Sequence, residues 1–208
     1  METCSNNAVF DGGDTTDDRG NGALAKSQAQ RRRRVLDATM LLAREGGFEA
    51  VQMRDVATEA RVALGTVYRY FASKERLLLE MMVEQTDDLR TYLDAHPAPG
   101  TTADERVVHV LRRANAALAQ VPDVAIAMVR AFGASKDENA DVIERVSDSM
   151  NAIITSAIGN HGPNELRVAR LLTQVWLSSL IGWAGGVDPM QRVDDDLAFA
   201  ARVVLATS

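Results

Sequence analysis

An all-α fold is what the 208-residue sequence predicts, and three observations carry that prediction. Apolar residues recur at helical spacing along most of the chain. Gly and Pro break the pattern at intervals of helix length, as at Gly46-Gly47, Pro97 to Gly100, Pro122 and Gly162-Pro163. Only Thr66 to Phe71 is rich in the β-branched and aromatic residues that favour strands, and no other segment offers it a partner, so a strand reading there competes with a helical one. The breaks leave a tail at residues 1–27, a three-helix unit at 28–74 and a six-helix unit at 75–208.

Residues 1–27 combine Gly, Asp, Asn, Ser and Thr with few large hydrophobes, too little apolar surface to offset the entropy of ordering, so this tail is expected to be disordered. From Gln28 the first helix carries an apolar face of Val35, Leu36, Thr39, Met40, Leu42 and Ala43 and closes at Gly46-Gly47. Its first turns hold Arg31, Arg32, Arg33 and Arg34, either a solvated basic helix end or a grip on phosphate and the minor groove. The second helix, Met53 to Ala60, turns Val56, Ala57 and Ala60 inward and leaves Arg54 outside. A third, from Leu64, points Val67 and Phe71 inward and offers Leu64, Gly65, Thr66, Tyr68 and Arg69 outward. Two short helices joined by a tight turn and presenting small, hydroxyl and aromatic groups have the shape that enters a major groove.

Ser73 is a good N-cap for a long helix over Lys74 to Ala95, striped by Leu77, Leu78, Met81, Met82, Thr86 and Leu89. Rooted in the first unit and ending in the second, this helix is suited to connect them. Five more follow at about 102–120, 123–133, 138–159, 164–185 and 193–206, with Asp194, Asp195 and Asp196 placed at the start of the last, where the helix dipole favours acids.

The run Gly65-Thr66-Val67-Tyr68-Arg69-Tyr70-Phe71-Ala72-Ser73-Lys74 resembles the helix-turn-helix signature of TetR-family regulators throughout. That resemblance implies a double-stranded DNA operator as partner, with Arg54 and Tyr68 approaching bases and Gln52, Thr66, Tyr70 and Lys74 holding the backbone. Two departures lie in the turn. Arg61 stands where the family commonly has Gly, and a non-glycine residue in the left-handed region costs roughly 1 to 2 kcal/mol. Ala63 replaces the usual capping Ser or Thr, a change worth about 0.5 to 2 kcal/mol. Further stretches at 50–54, 127–131, 148–150 and 175–183 are similar to members of the family that repress cholesterol catabolism, which implies a hydrophobic effector, a steroid acyl-CoA thioester, acting on lipid-catabolism genes.

Charge is distributed as a DNA-binding segment in an acidic protein would require. The net charge is −6, yet residues 26–76 hold eleven basic and six acidic residues, while 1–25 and 77–208 are net acidic. Counterion release needs positive charge only where phosphates lie. The lone Cys4 excludes a disulfide framework and suits a reducing cytoplasm, and no apolar run is long enough to span a bilayer. His96, His109 and His161 have no neighbours at metal-ligand spacing, and no nucleophile elbow, P-loop or dinucleotide fingerprint is present, so neither a metal, a cofactor nor an enzymatic activity is expected.

The six-helix unit carries soft and aromatic groups, Met128, Phe132, Met150, Trp176 and Trp183, beyond what aliphatic residues already supply for a core; they line either a ligand pocket or plain core. The helix at 164–185 has an apolar band too wide for one-sided burial, with Arg167, Arg170, Gln174 and Ser178 as its polar strip. It is either wholly internal or shared with an identical subunit, as a family homodimer would require, with Leu180 here and Ala201 on the last helix as seam candidates. Rival readings are a TetR-type regulator of an efflux or unrelated catabolic operon and, from another class, a small helical enzyme.

Overall fold

The computed structural model describes residues 17–135, 137–159 and 162–206, with side chains from Ala25 onward, and these residues form nine α-helices, one short 3-10 turn and no strand. In chain order the helices are α1 Asp17–Ala50, α2 Met53–Glu59, α3 Leu64–Tyr70, α4 Lys74–Ala95, α5 Ala103–Gln120, α6 Pro122–Ala134, α7 Ala140–Ile158, α8 Pro163–Ala184 and α9 Met190–Leu205. The strand reading of Thr66 to Phe71 is therefore excluded. No single described helix is long and apolar enough to cross a membrane.

Two boundaries differ from expectation. The first helix begins at Asp17 rather than Gln28, so residues 17–27 are helical where disorder was expected, while residues 1–16 lie outside the described residues. Ala23, Leu24, Ala25, Lys26, Gln28, Ala29 and Gln30 are all strong helix formers, and a helix already nucleated by packing further along propagates through them at little cost. The last helix begins at Met190, with Pro189 at its N-cap, so Asp194 to Asp196 lie inside it and not at its start. Asp194 has a structural partner instead: its Oδ1 accepts from Asn115 Nδ2 at 2.7 Å, and the buried Trp176 Nε1 donates to Asn115 Oδ1 at 2.8 Å. This chain ties α8, α5 and α9 together and satisfies an otherwise costly buried amide.

Other local expectations hold. Regular helix geometry in α1 breaks at Gly46 and at Gly47, where φ 63° and ψ −151° are open only to glycine, and one more turn then carries Phe48 onto the core. The Ser73 side chain accepts from the Arg76 N–H, Thr102 and Glu105 form a capping box, and Gly159 closes α7 in the left-handed conformation. Arg61 does adopt φ 53°, and Ala63 leaves α3 without a side-chain cap.

Helix α1 packs along α6, α4 against both α6 and α7, α5 against α7 and α9, and α8 against α7 and α9. Val35, Val56, Val67 and Phe71 of the first unit join Leu77, Leu78, Met128, Met150 and Leu180 in one continuous apolar core. Replacing Arg61 by Gly should relieve the left-handed strain while giving the unfolded chain more freedom, for a net gain of about 0.5 to 1 kcal/mol. Urea unfolding would register this as a higher midpoint at unchanged slope, and a lower midpoint would show that the Arg61 side chain makes a stabilising contact of its own.

Candidate functional site

The outward face of the first unit is built by α2 and α3. Val56, Ala57, Ala60, Val67 and Phe71 are buried and hold the two helices together, and the turn between them is closed by Arg61 N–H to Thr58 O at 3.1 Å and Val62 N–H to Ala57 O at 3.0 Å. With these positions inward, helical geometry turns Gln52, Arg54, Leu64, Gly65, Tyr68 and Arg69 outward. Tyr68 is 51 % exposed, unusual for a large aromatic group. A side chain added at Gly65 would meet no protein atom, so nothing inside the fold requires glycine there.

Three of the candidate residues are less free. Thr66 is half-buried. Lys74 places its Nζ 4.0 Å from the Phe48 ring centre. Tyr70 lies under the Arg69 guanidinium, with its hydroxyl enclosed and without a partner among the described residues, so it is withdrawn from the surface that Tyr68 occupies.

The four consecutive arginines do not act as one grip. Successive helical residues diverge by about 100°, so they fan around α1. Arg32 turns inward, donating to Glu84 at 2.7 Å and Glu80 at 2.9 Å, and its guanidinium lies 5.5 Å from the Phe71 ring centre. Arg33 is tied to Asp37 and Glu84. Arg31 and Arg34 are exposed and make no ion pair among the described residues, so of the four they are the guanidinium groups available to a polyanion, beside Arg54 and Arg69 on the α2–α3 face.

In the larger unit a cavity of about 460 Å³ opens between the C-terminal half of α4, α5 and α7. Leu93, Ala98, Val110 and Ile153 give it apolar walls, and Arg90, Asp94 and Arg106 bring charge. Arg106 is fixed by donating to Ala157 O at 2.8 Å and Ile158 O at 2.9 Å, which also satisfies carbonyls in the last turn of α7. None of Met128, Phe132, Met150, Trp176 and Trp183 lines this space: Met128, Met150 and Trp176 are buried core, and Phe132 and Trp183 pack against its edge. Inward spacing cannot tell core from cavity. The sequence signal for the cavity is instead the small residues Ala152, Ser156 and Ala157 of α7, which leave room where larger ones would fill it.

Leu180 and Ala201, the seam candidates, are wholly buried within the chain and so cannot meet a second copy. The exposed large apolar groups on the same two helices are Leu166, Leu171, Val175 and Ile181 of α8 and Phe199 and Val203 of α9, with Phe199 64 % exposed. They stand beside the polar strip of Arg167, Arg170, Gln174 and Ser178, all exposed as expected.

The family profile for bacterial regulatory proteins of the tetR family matches residues 35–81, and that of the tetracyclin repressor-like C-terminal domain matches 100–204. The chain is 38% identical over 179 residues to the HTH-type transcriptional repressor KstR of Mycobacterium tuberculosis, covering 82% of this chain and 80% of that protein. Among solved structures, a TetR transcriptional regulator from Rhodococcus sp. RHA1 superposes with a TM-score of 0.79 at 30% identity over 86% of this chain and 97% of the other. FadR of Thermus thermophilus, solved with lauroyl-CoA, shares the fold with a TM-score of 0.69 at 23% identity over 84% and 93%. With its α2–α3 face and its helical body each matched by the corresponding family profile, the chain belongs to the tetR family of bacterial regulatory proteins and is a DNA-binding regulator, not an enzyme.

Proposed function

We propose that the protein is a homodimeric repressor that grips a palindromic operator with two copies of its α2–α3 face and lets go when a lipophilic acyl-CoA, a steroid acyl-CoA thioester, enters the cavity between α4, α5 and α7. Its targets are genes of steroid or lipid catabolism. The observation that carries this reading is the α2–α3 face itself, exposing Arg54, Tyr68 and Arg69 in the one segment of positive net charge of an acidic chain. In this reading Arg54 and Tyr68 meet base edges, Gln52, Thr66 and Lys74 meet backbone, and Arg31 and Arg34 supply flanking phosphate contacts. The vacant space over Gly65 is room for a close approach of DNA to α3.

One such face spans a half-site, and two copies about one helical turn or a multiple of it apart read a palindrome. The exposed stripe of Leu171, Val175 and Ile181 on α8 and Phe199 on α9 supports an isologous contact with a second copy. The effector assignment draws on similarity to KstR and on the mixed chemistry of the cavity, apolar for an acyl body and guanidinium-bearing for an anionic one. Its volume lies in the range of small-molecule sites, roughly 300 to 1,000 Å³. The Thermus FadR carries lauroyl-CoA on the same fold.

Three outcomes test the reading. Arg54→Ala should relax discrimination between operator and random duplex by about 1 to 3 kcal/mol, whereas Arg34→Ala should weaken all duplexes alike and lower the salt slope by about one unit; parallel losses for both variants would remove Arg54 from base recognition. Ile181→Arg should give a folded monomer with poor operator affinity by sedimentation and anisotropy, while a dimeric variant would move the seam elsewhere. Titration with a steroid acyl-CoA thioester should release operator from the wild type but not from Ser156→Trp, which fills the cavity from its exposed side. Release by an unrelated drug alone would sink the steroid assignment and favour a regulator of efflux.

A further inference from the structure

We propose that Glu80 is a positioning residue for operator recognition, a single buried carboxylate that holds the DNA-reading unit at a fixed angle to the body. Residues Leu77 to Val83 of α4 are all buried, and Glu80 stands in the middle of that run. An ionised carboxylate there loses its hydration, and a Leu or Met would pack as its neighbours Leu79 and Met81 do. What the carboxylate adds is direction. Its Oε2 accepts from Arg32 of α1 at 2.9 Å, and its Oε1 accepts from Arg145 of α7. One oxygen thus faces the DNA-reading unit and the other the body, so neither guanidinium can leave without stranding half of a buried charge.

The surroundings reinforce both arms. Arg32 also donates to Glu84 at 2.7 Å and covers the ring of Phe71, the buried residue that follows α3, so it grips α4 and the reader together. Arg76, whose Nη2 is 3.8 Å from Glu80 Oε1, makes a bidentate pair with Asp141 of α7 at 2.7 and 2.8 Å. Those hydrogen bonds hold the Asp141 carboxyl down at about 2, so this second tie is ionised throughout the physiological range. An ionic cluster gathered on one buried carboxylate stabilises little by comparison with an apolar replacement, yet its directional hydrogen bonds constrain the geometry of the elements they join. Rotation of α1 relative to α7 requires breaking it.

The consequence concerns two readers at once. Affinity for a palindrome depends on the angle between the readers, whereas contact of one reader with a random duplex does not, so the inference rests on the dimeric reading above. The test uses the full-length protein and two labelled duplexes: the tightest binder selected from random sequence with the wild type, and a scrambled duplex of equal length. Glu80→Gln keeps the shape but places an amide nitrogen against one guanidinium. It should lower affinity for the selected duplex tenfold or more and change affinity for the scrambled one less than twofold. Arg145→Gln, exposed on α7 of the body, alters the same clamp without emptying a buried site, and should cut the ratio of the two affinities at least threefold with thermal melting within about 2 °C of wild type. Parallel losses on both duplexes, or an unchanged ratio for Arg145→Gln, would overturn the proposal. Equal wild-type affinity for the selected duplex and its half-site would overturn the dimeric reading, and the clamp's role with it, independently of either variant.

Discussion

Helix α4 has no solvent face over seven consecutive residues, Leu77 to Val83, and the remaining architecture follows from that constraint. A stretch buried on every side needs packing neighbours on every side, and a partner for the one charge it holds, Glu80. Here the enclosure comes from the DNA-reading unit through α1, and from α6 and α7 of the body. The two units matched by separate family profiles therefore share one core instead of meeting across a wet interface. Phe48 reinforces the joint: after the glycine break in α1 its ring lies between Lys74 at the root of α4 and Arg130 of α6, which also pairs with Glu49 at 3.0 Å. Movement of α4 in such an arrangement carries the reader with it.

The seam between α4 and α7 has distinct chemistry at its two ends. At one end lie Glu80, Arg76, Arg145 and Asp141, and at the other the cavity walled by Leu93 and Asp94 of α4 and Ile153 and Ser156 of α7. Arg145 and Ser156 are eleven residues apart on one face of α7, about 16 Å along its axis. In the proposed mechanism a ligand that parts the helices at the cavity is opposed at the far end by an ionic cluster whose directional hydrogen bonds constrain its geometry, and packed elements of this kind switch between discrete arrangements. The ligand acts only to the extent that it prefers the parted form, because equal affinity for both would shift nothing.

Much of this was legible in the sequence, and the parts that were not share a cause. Helix number, the inward set Val56, Ala57, Val67 and Phe71, the Ser73 cap and the strain at Arg61 depend on neighbours within a few residues, which the sequence displays directly. The start of α1 was missed because composition weighs packing against entropy and undervalues propagation of an existing helix through Ala23 to Gln30. The arginine run was read as one feature although the helix divides it, and the carboxylates that take Arg32, Glu80 and Glu84, lie about fifty residues away. Leu180 and Ala201 face the chain's own core, a side that spacing alone could not single out because α8 is apolar on both. The cavity depends on what is missing from α7, and the Met and Trp residues that drew attention are what filled space looks like.

Binding at two sites joined by one equilibrium must be reciprocal, which gives the account its most direct test. Calorimetry of a steroid acyl-CoA thioester with the free protein, repeated with the protein saturated by its selected operator, measures the coupling from the ligand side. Operator should weaken ligand binding at least tenfold, by the same factor that the ligand weakens the operator. Equal ligand affinity with and without DNA would contradict it.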